Sequence, residues 1–237
     1  MLLAFVDTPQ RNGRLTVFPV VSADEPQLSY LLMADAIRRG VLTIEQNPAG
    51  HPPKLIARNR GSEPVLILDC EAMASGRANQ ATHQSILLGP VSVTEVPVSC
   101  QDSGKWNSPE FEEKFSGTLE SFPLLDDQVG ILAFLDRQLL GLDVLGAPEL
   151  YAPVHHRLLG GHLTTVLSAG NGSPLHEPAE EPELKALAQA LQNARRENAP
   201  CLGRGEYSTL HGAVTGGELR HNGHLVHLSV FPSGSAA

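Results

Sequence analysis

The sequence is built largely from short apolar runs that end at proline, glycine or asparagine. The runs "VLTIEQ", "PKLIARN" and "PVLILDC" are separated by the turn-forming stretches "NPAGHPP" and "RGSEP". This punctuation is typical of β-strands joined by turns, because glycine and proline supply the backbone angles that turns need. No apolar run approaches the roughly 20 residues of a membrane helix. The pattern therefore predicts a strand meander in a water-soluble protein.

Helical features occur in five stretches between the strand-like runs. Ser108 suits the cap before a helix and Pro109 suits its first position, since both match the hydrogen-bonding needs of a helix start. Arg195 and Arg196 fall in the last turn of the most amphipathic stretch, where positive charge is favourable. Together the signals predict an α+β fold, with helices packed on a mainly antiparallel, strongly bent sheet. The five stretches are residues 29–40, 108–117, 126–146, 152–168 and 183–198.

The length and apolar content of the chain favour a single domain. A chain of 237 residues with 41% hydrophobic side chains can bury one large core. We therefore expect one α+β domain over residues 1–237, with a flexible segment near residues 168–182. That segment, "SAGNGSPLHEPAEEP", is rich in Gly, Pro and Glu.

Charge and cysteine content narrow the function classes. The formal net charge is -9 at pH 7, whereas proteins bind nucleic acids mainly through positive side chains. We therefore expect no nucleic-acid partner. Three widely spaced cysteines without a CxxC pair favour neither a disulfide framework nor a cysteine-rich zinc site. The opening "MLLAFVDTPQ" lacks the features of a signal peptide, so a cytoplasmic location without a membrane partner is expected.

The stretch "PVSCQDSGKW" places one of the three cysteines close to the only tryptophan. A strand that ends near Cys100 would leave Asp102, Lys105 and Trp106 on a turn, where side chains can face a cleft. There Cys100 suits a nucleophile, Asp102 suits acid–base chemistry and Trp106 suits stacking on a planar ligand. Lys105 would lie near a phosphate. The alternative is structural: Cys100 fills the core and Trp106 covers it.

A second candidate is the stretch "LDCEAMASGRANQATHQS", which follows an apolar run. Asp69 and Glu71 would point to the same face if the strand continued that far, which would pair two carboxylates for acid–base chemistry. In the loop that follows, amide side chains suit a base edge or a ribose, and an arginine suits phosphate. The alternative is an ordinary solvated loop. The loop residues concerned are Arg77, Asn79, Gln80 and His83.

Ten histidines raise the question of a metal site. His221 and His224 would face each other across a hairpin at Asn222-Gly223, the strongest short hairpin signal in the chain. A third ligand is not evident there, and the histidines within residues 155–162 lack the spacing of a zinc-protease helix. The sequence therefore predicts no metal site and identifies no cofactor.

The two candidate stretches carry motifs that resemble those of a bacterial domain family. This family is named for its association with ADP-ribosylglycohydrolase and rhodanese-phosphatase proteins. The early "LTVFPV" and the late "HLVHLSVF" are also similar to the family, so the resemblance spans nearly the whole chain. The matching motifs are E-x4-G at residues 71–76, NQ at 79–80, S-x-L at 85–87 and PVSC-x-D-x-G-K-W at 97–106.

The chain departs from the family pattern in both motifs. Asn79, Gln80 and Ala81 stand where the family has Gln-Asn-Arg, so an arginine that suits phosphate is missing. Asp102 and Lys105 stand where the family has Glu and Arg, which keeps the charge and changes the reach. The family name implies a genomic neighbourhood that involves ADP-ribose, NAD derivatives or nucleotides. It implies no particular reaction.

Three functions remain open from the sequence. The first is binding or processing of a nucleotide-like small molecule, such as an ADP-ribose or NAD derivative, in a cleft between the two motif stretches. The second is a hydrolase in which Glu71, Asp102 or Cys100 carries the chemistry. The third is an interaction or scaffold domain without catalysis, bound to a protein partner or to a second copy of the chain.

Overall fold

The computed structural model describes most of the chain. All structural statements below concern these residues: 4–22, 27–46, 54–69, 71–75, 78–100, 115–168 and 177–234.

One large antiparallel sheet is the main element of the fold. Its nine strands are β1 (Ala4–Val6), β2 (Gln10–Asn12), β3 (Leu15–Ser22), β13 (Gln128–Leu135), β14 (Gln138–Leu145), β15 (Arg195–Ala199), β16 (Glu206–His211), β17 (Val214–His221) and β18 (His224–Pro232). The strand order is β1-β3-β13-β14-β18-β17-β16-β15, and β2 pairs with β3 beside this path. Strands distant in the sequence, such as β3 and β13, therefore lie side by side.

Three small sheets of three strands each account for the remaining described strands. The first has the strand order β10-β7-β4 and contains β4 (Leu31–Leu32), β7 (Val65–Ile67) and β10 (Ile86–Leu88). The second has the order β11-β6-β5 and contains β5 (Leu42–Gln46), β6 (Lys54–Asn59) and β11 (Ser92–Pro97). The third has the order β12-β9-β8 and contains β8 (Ala72–Ser75), β9 (Ala78–Ala81) and β12 (Ser99–Cys100). Only the pair of β4 with β7 is parallel among the described strand pairs. The predicted mainly antiparallel α+β fold is therefore confirmed.

Four of the five predicted stretches contain helical residues, and one short helix, over residues 148–151, lies outside all five. They are α1 (Met33–Arg38), α2 (residues 115–119), α3 (Pro148–Tyr151), a 3-10 turn (Ala152–Val154), α4 (His155–Ser168) and α5 (Glu181–Asn193). Residues 108–114 of the second stretch lie outside the described residues, as do residues 169–176 of the expected flexible segment. Among the described residues, no helix combines the length and the apolar character that crossing a bilayer requires.

The predicted helix over residues 126–146 is wrong, because these residues form the hairpin of β13 and β14. Every residue of β13 is buried, since the strand lies in the middle of the sheet with a core on each face. Such a strand loses the alternation of apolar and polar residues, and a continuous apolar run does not distinguish strand from helix. Asp136 has a φ of 53°, which completes the turn between the strands.

Two further boundaries differ from the sequence prediction. Arg195 and Arg196 belong to β15, because Ala194 adopts an extended conformation and ends α5 at Asn193. The expected loop after Glu71 is instead the hairpin of β8 and β9. Its small and polar residues carry little strand propensity, and pairing with β12 adds backbone hydrogen bonds that a local pattern does not show.

The large sheet buries both of its faces. One face packs against α3, α4 and the strands β7 and β10 in a core that includes Leu66, Tyr151 and Leu159. The other face packs against α5 in a second core that includes Leu142 and Leu187. The small sheets are tied to the large one by the hydroxyl of Tyr30, which donates to the carbonyl oxygen of Val226 at 3.0 Å. Side chains from both regions therefore meet beside β18.

Candidate functional site

The two motif stretches lie side by side in the structure. Strand β12 pairs with β9, and this register sets Cys100 opposite Gln80 and Ser99 opposite Ala81. Strand β8 continues the same sheet, with Met73 opposite Gln80. Neighbouring strands are about 5 Å apart, so the backbone brings the strand ends of the two stretches together.

The predicted site residues fall into three groups. Glu71 and Gln80 are buried, whereas His83 is exposed to solvent. The backbones of Asn79 and Cys100 lie in paired strands, while their side chains lie outside what the structure describes. The other four residues lie outside the described residues altogether, and their predicted roles stay predictions: Arg77, Asp102, Lys105 and Trp106.

Glu71 lies in a tight turn after β7 and pairs with α4. Its backbone N–H donates to the carbonyl oxygen of Leu68, and its Oε2 accepts from the backbone N–H of Leu68 at 3.0 Å. Its Oε1 lies 2.9 Å from Nη1 of Arg157, and both side chains are largely buried. Burial raises the pKa of Glu71, and the Arg157 guanidinium offsets part of that rise. The pair therefore fastens the first motif stretch to α4.

Asp69, from the same turn, faces β18 instead of α4. Ser85 lies between Asp69 and His227: its Oγ is 2.8 Å from Nδ1 of His227 and 3.3 Å from Oδ1 of Asp69. Oγ of Ser85 also accepts from the backbone N–H of Asp69 at 3.0 Å. If Ser85 donates to Asp69, then Nδ1–H of His227 donates to Ser85. This arrangement leaves Nε2 of His227 as the ring nitrogen free to accept a proton.

Asp143 of β14 lies between two histidines. Its Oδ1 is 3.7 Å from Nε2 of His227, and its Oδ2 is 3.7 Å from Nε2 of His162 on α4. Both separations are beyond hydrogen-bond length. Among the described residues, neither Nε2 atom has a hydrogen-bond partner, and both are buried. We call Asp69, Ser85, Asp143, His162 and His227 the acid–base cluster.

Local backbone features direct the histidines into this cluster. In the pairing of β17 with β18, Leu219 faces His227 and Arg220 faces Leu225, so Val226 is an extra residue. Such a β-bulge redirects the side chains beside it. Across the cluster, Gly141 leaves room for His162, since a Cβ at that position would lie 2.9 Å from Cε1 of the ring.

The carboxylates of the cluster differ in their proton affinity. Burial raises the pKa of Asp69, and His227 offsets part of that rise. Burial would also raise the pKa of Asp143, but His162 and His227 outweigh it and hold the pKa well below its ordinary value. Asp143 is therefore ionised at neutral pH. Within the described part of the chain, no three His, Cys, Asp or Glu side chains are placed to hold one metal ion.

A second hydrogen-bond chain lies next to the acid–base cluster. Nε2 of Gln128 donates to the hydroxyl of Tyr151 at 3.1 Å, and this hydroxyl is 2.9 Å from Nδ1 of His155. Nε2 of His155 lies 2.9 Å from the carbonyl oxygen of Phe122 and therefore carries its proton. Burial raises the pKa of Tyr151, and the charge of Asp143 raises it further. The chain holds Tyr151 and His155 in their neutral forms.

We expect the fold to lose stability through His155 as the pH falls below its ordinary pKa of 6.5. Burial lowers the pKa of His155 and the neighbouring His156 lowers it further, against the hydrogen bond to Phe122. The unfolded chain therefore takes up a proton more readily, and the contribution present above pH 6.5 is lost below it. Urea unfolding at pH 7.0 and 5.5 should show a smaller pH effect for His155→Gln than for the wild type.

The matched control for this prediction is His83→Gln. His83 is exposed and is not among the groups that shift the pKa of His155, so its replacement should leave the pH effect close to that of the wild type. If His155→Gln and the wild type lose the same free energy of unfolding on acidification, then His155 is not held neutral by the fold.

Sequence reasoning identified part of this site and missed the rest. It named Asp69 and Glu71 as carboxylates that would share a face if the strand continued, but β7 ends at Ile67, and Asp69 faces His227 while Glu71 faces Arg157. It quoted Ser85 only as part of a motif. Asp143, His162 and His227 were missed, because they lie on separate strands and a helix that only tertiary structure brings together. One signal was available: Asp143 is a single acidic residue within the apolar run "LLGLDVLG", and a buried charge of this kind usually has a partner.

Comparison with known proteins gives one match. The family model described as "ARG and Rhodanese-Phosphatase-superfamily-associated Protein domain" matches residues 5–118 and 109–231. No curated protein and no solved structure matches the chain significantly. The match spans both the motif stretches and the strands and helix that supply the acid–base cluster.

Proposed function

The chain belongs to the family of ARG and Rhodanese-Phosphatase-superfamily-associated protein domains, and we propose that it binds and processes a small polar molecule at the acid–base cluster. The observation that carries this proposal is the pair of buried, unpartnered Nε2 atoms of His162 and His227 on either side of Asp143. A buried polar atom without a partner is costly, so among the described residues these two nitrogens mark a place where a ligand would gain hydrogen bonds.

The spacing within the cluster suits a ligand hydroxyl. A hydroxyl oxygen can lie about 2.8 Å from both an imidazole nitrogen and a carboxylate oxygen when these are 3.7 Å apart. Asp143 offers this arrangement twice, once with each histidine. A ribose hydroxyl would match the half with His162, where it donates to Oδ2 of Asp143 and accepts from Nε2–H of His162. A water molecule, which has two protons to donate, would match the half with His227, where it donates to Oδ1 of Asp143 and to the unprotonated Nε2.

The proposed ligand class is a ribosyl compound such as an ADP-ribose or NAD derivative. The family name associates such domains with ADP-ribosylglycohydrolase proteins, and the hydroxyl arrangement is compatible with the ribose part. In the proposed reaction, Nε2 of His227 accepts a proton from a water molecule or ligand hydroxyl, whose oxygen forms a bond to an electrophilic centre of the ligand while the bond from that centre to its leaving group breaks. The imidazolium of His227 then gives the proton to the leaving group. Asp143, ionised and adjacent, stabilises the imidazolium that results.

The test combines calorimetry with a pair of ligands that differ by one hydroxyl. We expect ribose 5-phosphate and ADP-ribose to bind at millimolar concentration or below. We expect 2-deoxyribose 5-phosphate to bind at least about tenfold more weakly, because the missing 2′-hydroxyl leaves buried polar groups of the protein unpaired. Asp143→Asn should remove the difference. His224→Gln, at the exposed hairpin, is the control and should preserve it.

Two results would contradict the proposal. One is the absence of binding by ADP-ribose, NAD and ribose 5-phosphate at millimolar concentration. The other is equal binding of the ribose and deoxyribose compounds. For ligands that bind, phosphorus and proton NMR of the mixture would show whether the ligand is converted and which bond is cleaved.

A scaffold function is the second candidate, and one specific observation favours it. The acid–base cluster and the pair of Glu71 with Arg157 are largely buried, and they join the first motif stretch to α4 and β18. Under this alternative the cluster only fastens these elements together. The variants Asp143→Asn and His227→Asn would then lower the melting temperature, and no small polar ligand would raise it.

A further inference from the structure

A cavity lies on the opposite face of the same strands that carry the acid–base cluster. Its volume is about 330 Å³, and it lies between α5 and the large sheet. Ligand pockets in proteins measure roughly 300–1,000 Å³, and this cavity is partly open to solvent, since its lining residue Val6 is 43% exposed. The cavity is therefore large enough for a small organic ligand. Its apolar walls include Leu132, Leu142, Val144, Leu184, Leu187 and Leu225.

Alternation along the strands separates this cavity from the acid–base cluster. On β14, Leu142 and Val144 line the cavity while Asp143 between them faces the cluster. On β18, Leu228 lines the cavity while His227 faces the cluster. Successive side chains of a strand point to opposite faces of the sheet. The cavity is thus a second site and does not belong to the one described above.

One carboxylate and one guanidinium are the charged groups of the cavity lining. Glu218 and Arg220 carry them, and Nε of Arg220 lies 2.7 Å from Oε1 of Glu218. Arg196 does not line the cavity, and its Nε lies 3.2 Å from the other oxygen of Glu218. The two arginines together therefore outweigh the one carboxylate by one positive charge at this end of the cavity. The Arg220 side chain is 33% exposed, so it can also contact a ligand.

We propose that this cavity binds a small amphipathic anion, namely an aliphatic carboxylate. The aliphatic chain lies among the leucines, where removing it from water is favourable. The carboxylate lies at Arg220, because a guanidinium binds a carboxylate through charge-assisted hydrogen bonds. A positively charged head group would be repelled by the same two arginines.

The experiment compares two amphiphiles with the same chain and opposite charge. Calorimetric titration with decanoate, below its micelle concentration, should give saturable binding of one molecule per chain. The wild-type protein should bind decyltrimethylammonium at least about tenfold more weakly than decanoate. The Arg220→Gln variant should bind decanoate at least about tenfold more weakly than the wild type does. Leu187→Trp fills the cavity and should abolish decanoate binding. Gln189→Trp, on the exposed side of α5, introduces the same side chain outside the cavity and should leave it unchanged.

Each remaining outcome decides against the proposal. No saturable decanoate binding up to millimolar concentration overturns it, as does undiminished binding to a folded Leu187→Trp variant. If that variant does not fold, Leu184→Trp replaces it, because Leu184 lines the cavity and is only partly buried. Equal affinity for decanoate and decyltrimethylammonium overturns the proposal that the ligand is an anion. If the protein is a dimer by light scattering and binds no decanoate, the proposal is wrong, and a second copy of the chain covers the cavity instead.

Discussion

Replacement of Arg157 by methionine is expected to lower the free energy of unfolding by about 3–5 kcal/mol at pH 7. Arg157 contacts Glu71 at 2.9 Å, with 18% and 10% of the two side chains exposed. Without its partner, the Glu71 carboxylate would be buried and uncompensated, which costs far more than the loss of a surface ion pair. Urea denaturation of the wild type and the variant measures the difference, provided that the m-values agree.

Two matched variants show whether the stranded charge is the cause. The double variant Glu71→Gln, Arg157→Met removes both charges and should recover most of the lost stability. Arg137→Met breaks the pairs that the half-exposed Arg137 makes with Glu177 and Glu183 and should lower the free energy of unfolding far less, because water already solvates the charge of Arg137. If Arg157→Met costs as little as Arg137→Met, then the pair of Arg157 with Glu71 does not fasten the motif stretch to α4.

The pH dependence of Arg157→Met gives an independent check. Burial raises the pKa of Glu71 in the folded protein, and removal of the arginine should raise it further. Glu71 then binds a proton more readily in the folded variant than in the unfolded chain. Its contribution to the free energy of unfolding therefore increases as the pH falls. The deficit relative to the wild type should therefore shrink between pH 7 and pH 5.

The parts of the fold that the sequence predicted are those with local signals. The hairpin at Asn222-Gly223 is present, with φ values of 51° and 79° at the two turn residues, because these residues adopt such angles at little cost. Strand β11 lies at the end of its described sheet and ends at Pro97, a residue that lacks the N–H a central strand needs. Turn chemistry acts over a few residues, so a local pattern is sufficient to show it.

The parts that the sequence did not predict depend on distant contacts. Whether residues 128–145 form a helix or a hairpin depends on the cores on both sides of the sheet, and neither is visible in the local pattern. The acid–base cluster is a stronger case, since Ser85 and His227 are separated by 142 positions in the sequence. The expectation that the two motif stretches lie next to each other came from the apolar runs before them, and the pairing of β9 with β12 sets Gln80 opposite Cys100.

His227→Asn is expected to lower the rate of the proposed reaction by about 10²- to 10⁴-fold. The shorter asparagine amide can occupy the position of Nδ1 and keep the contact with Ser85, which is 2.8 Å in the wild type. It has no atom at the position of Nε2, the nitrogen proposed to accept the proton. The rate constant kcat for conversion of the ribosyl ligand should therefore fall much more than the affinity measured by calorimetry.

Three comparisons separate this catalytic role from a structural one. His224→Asn, at the exposed hairpin, should keep the wild-type rate, which excludes a general effect of losing a histidine. Ser85→Ala removes the hydroxyl that contacts Nδ1 of His227 and Asp69 but keeps Nε2 of His227, so its rate should lie between those of the wild type and His227→Asn. Circular dichroism and urea unfolding report whether each variant is folded. A folded His227→Asn protein with the wild-type kcat would show that Nε2 of His227 transfers no proton, and the scaffold function would then account better for the buried cluster.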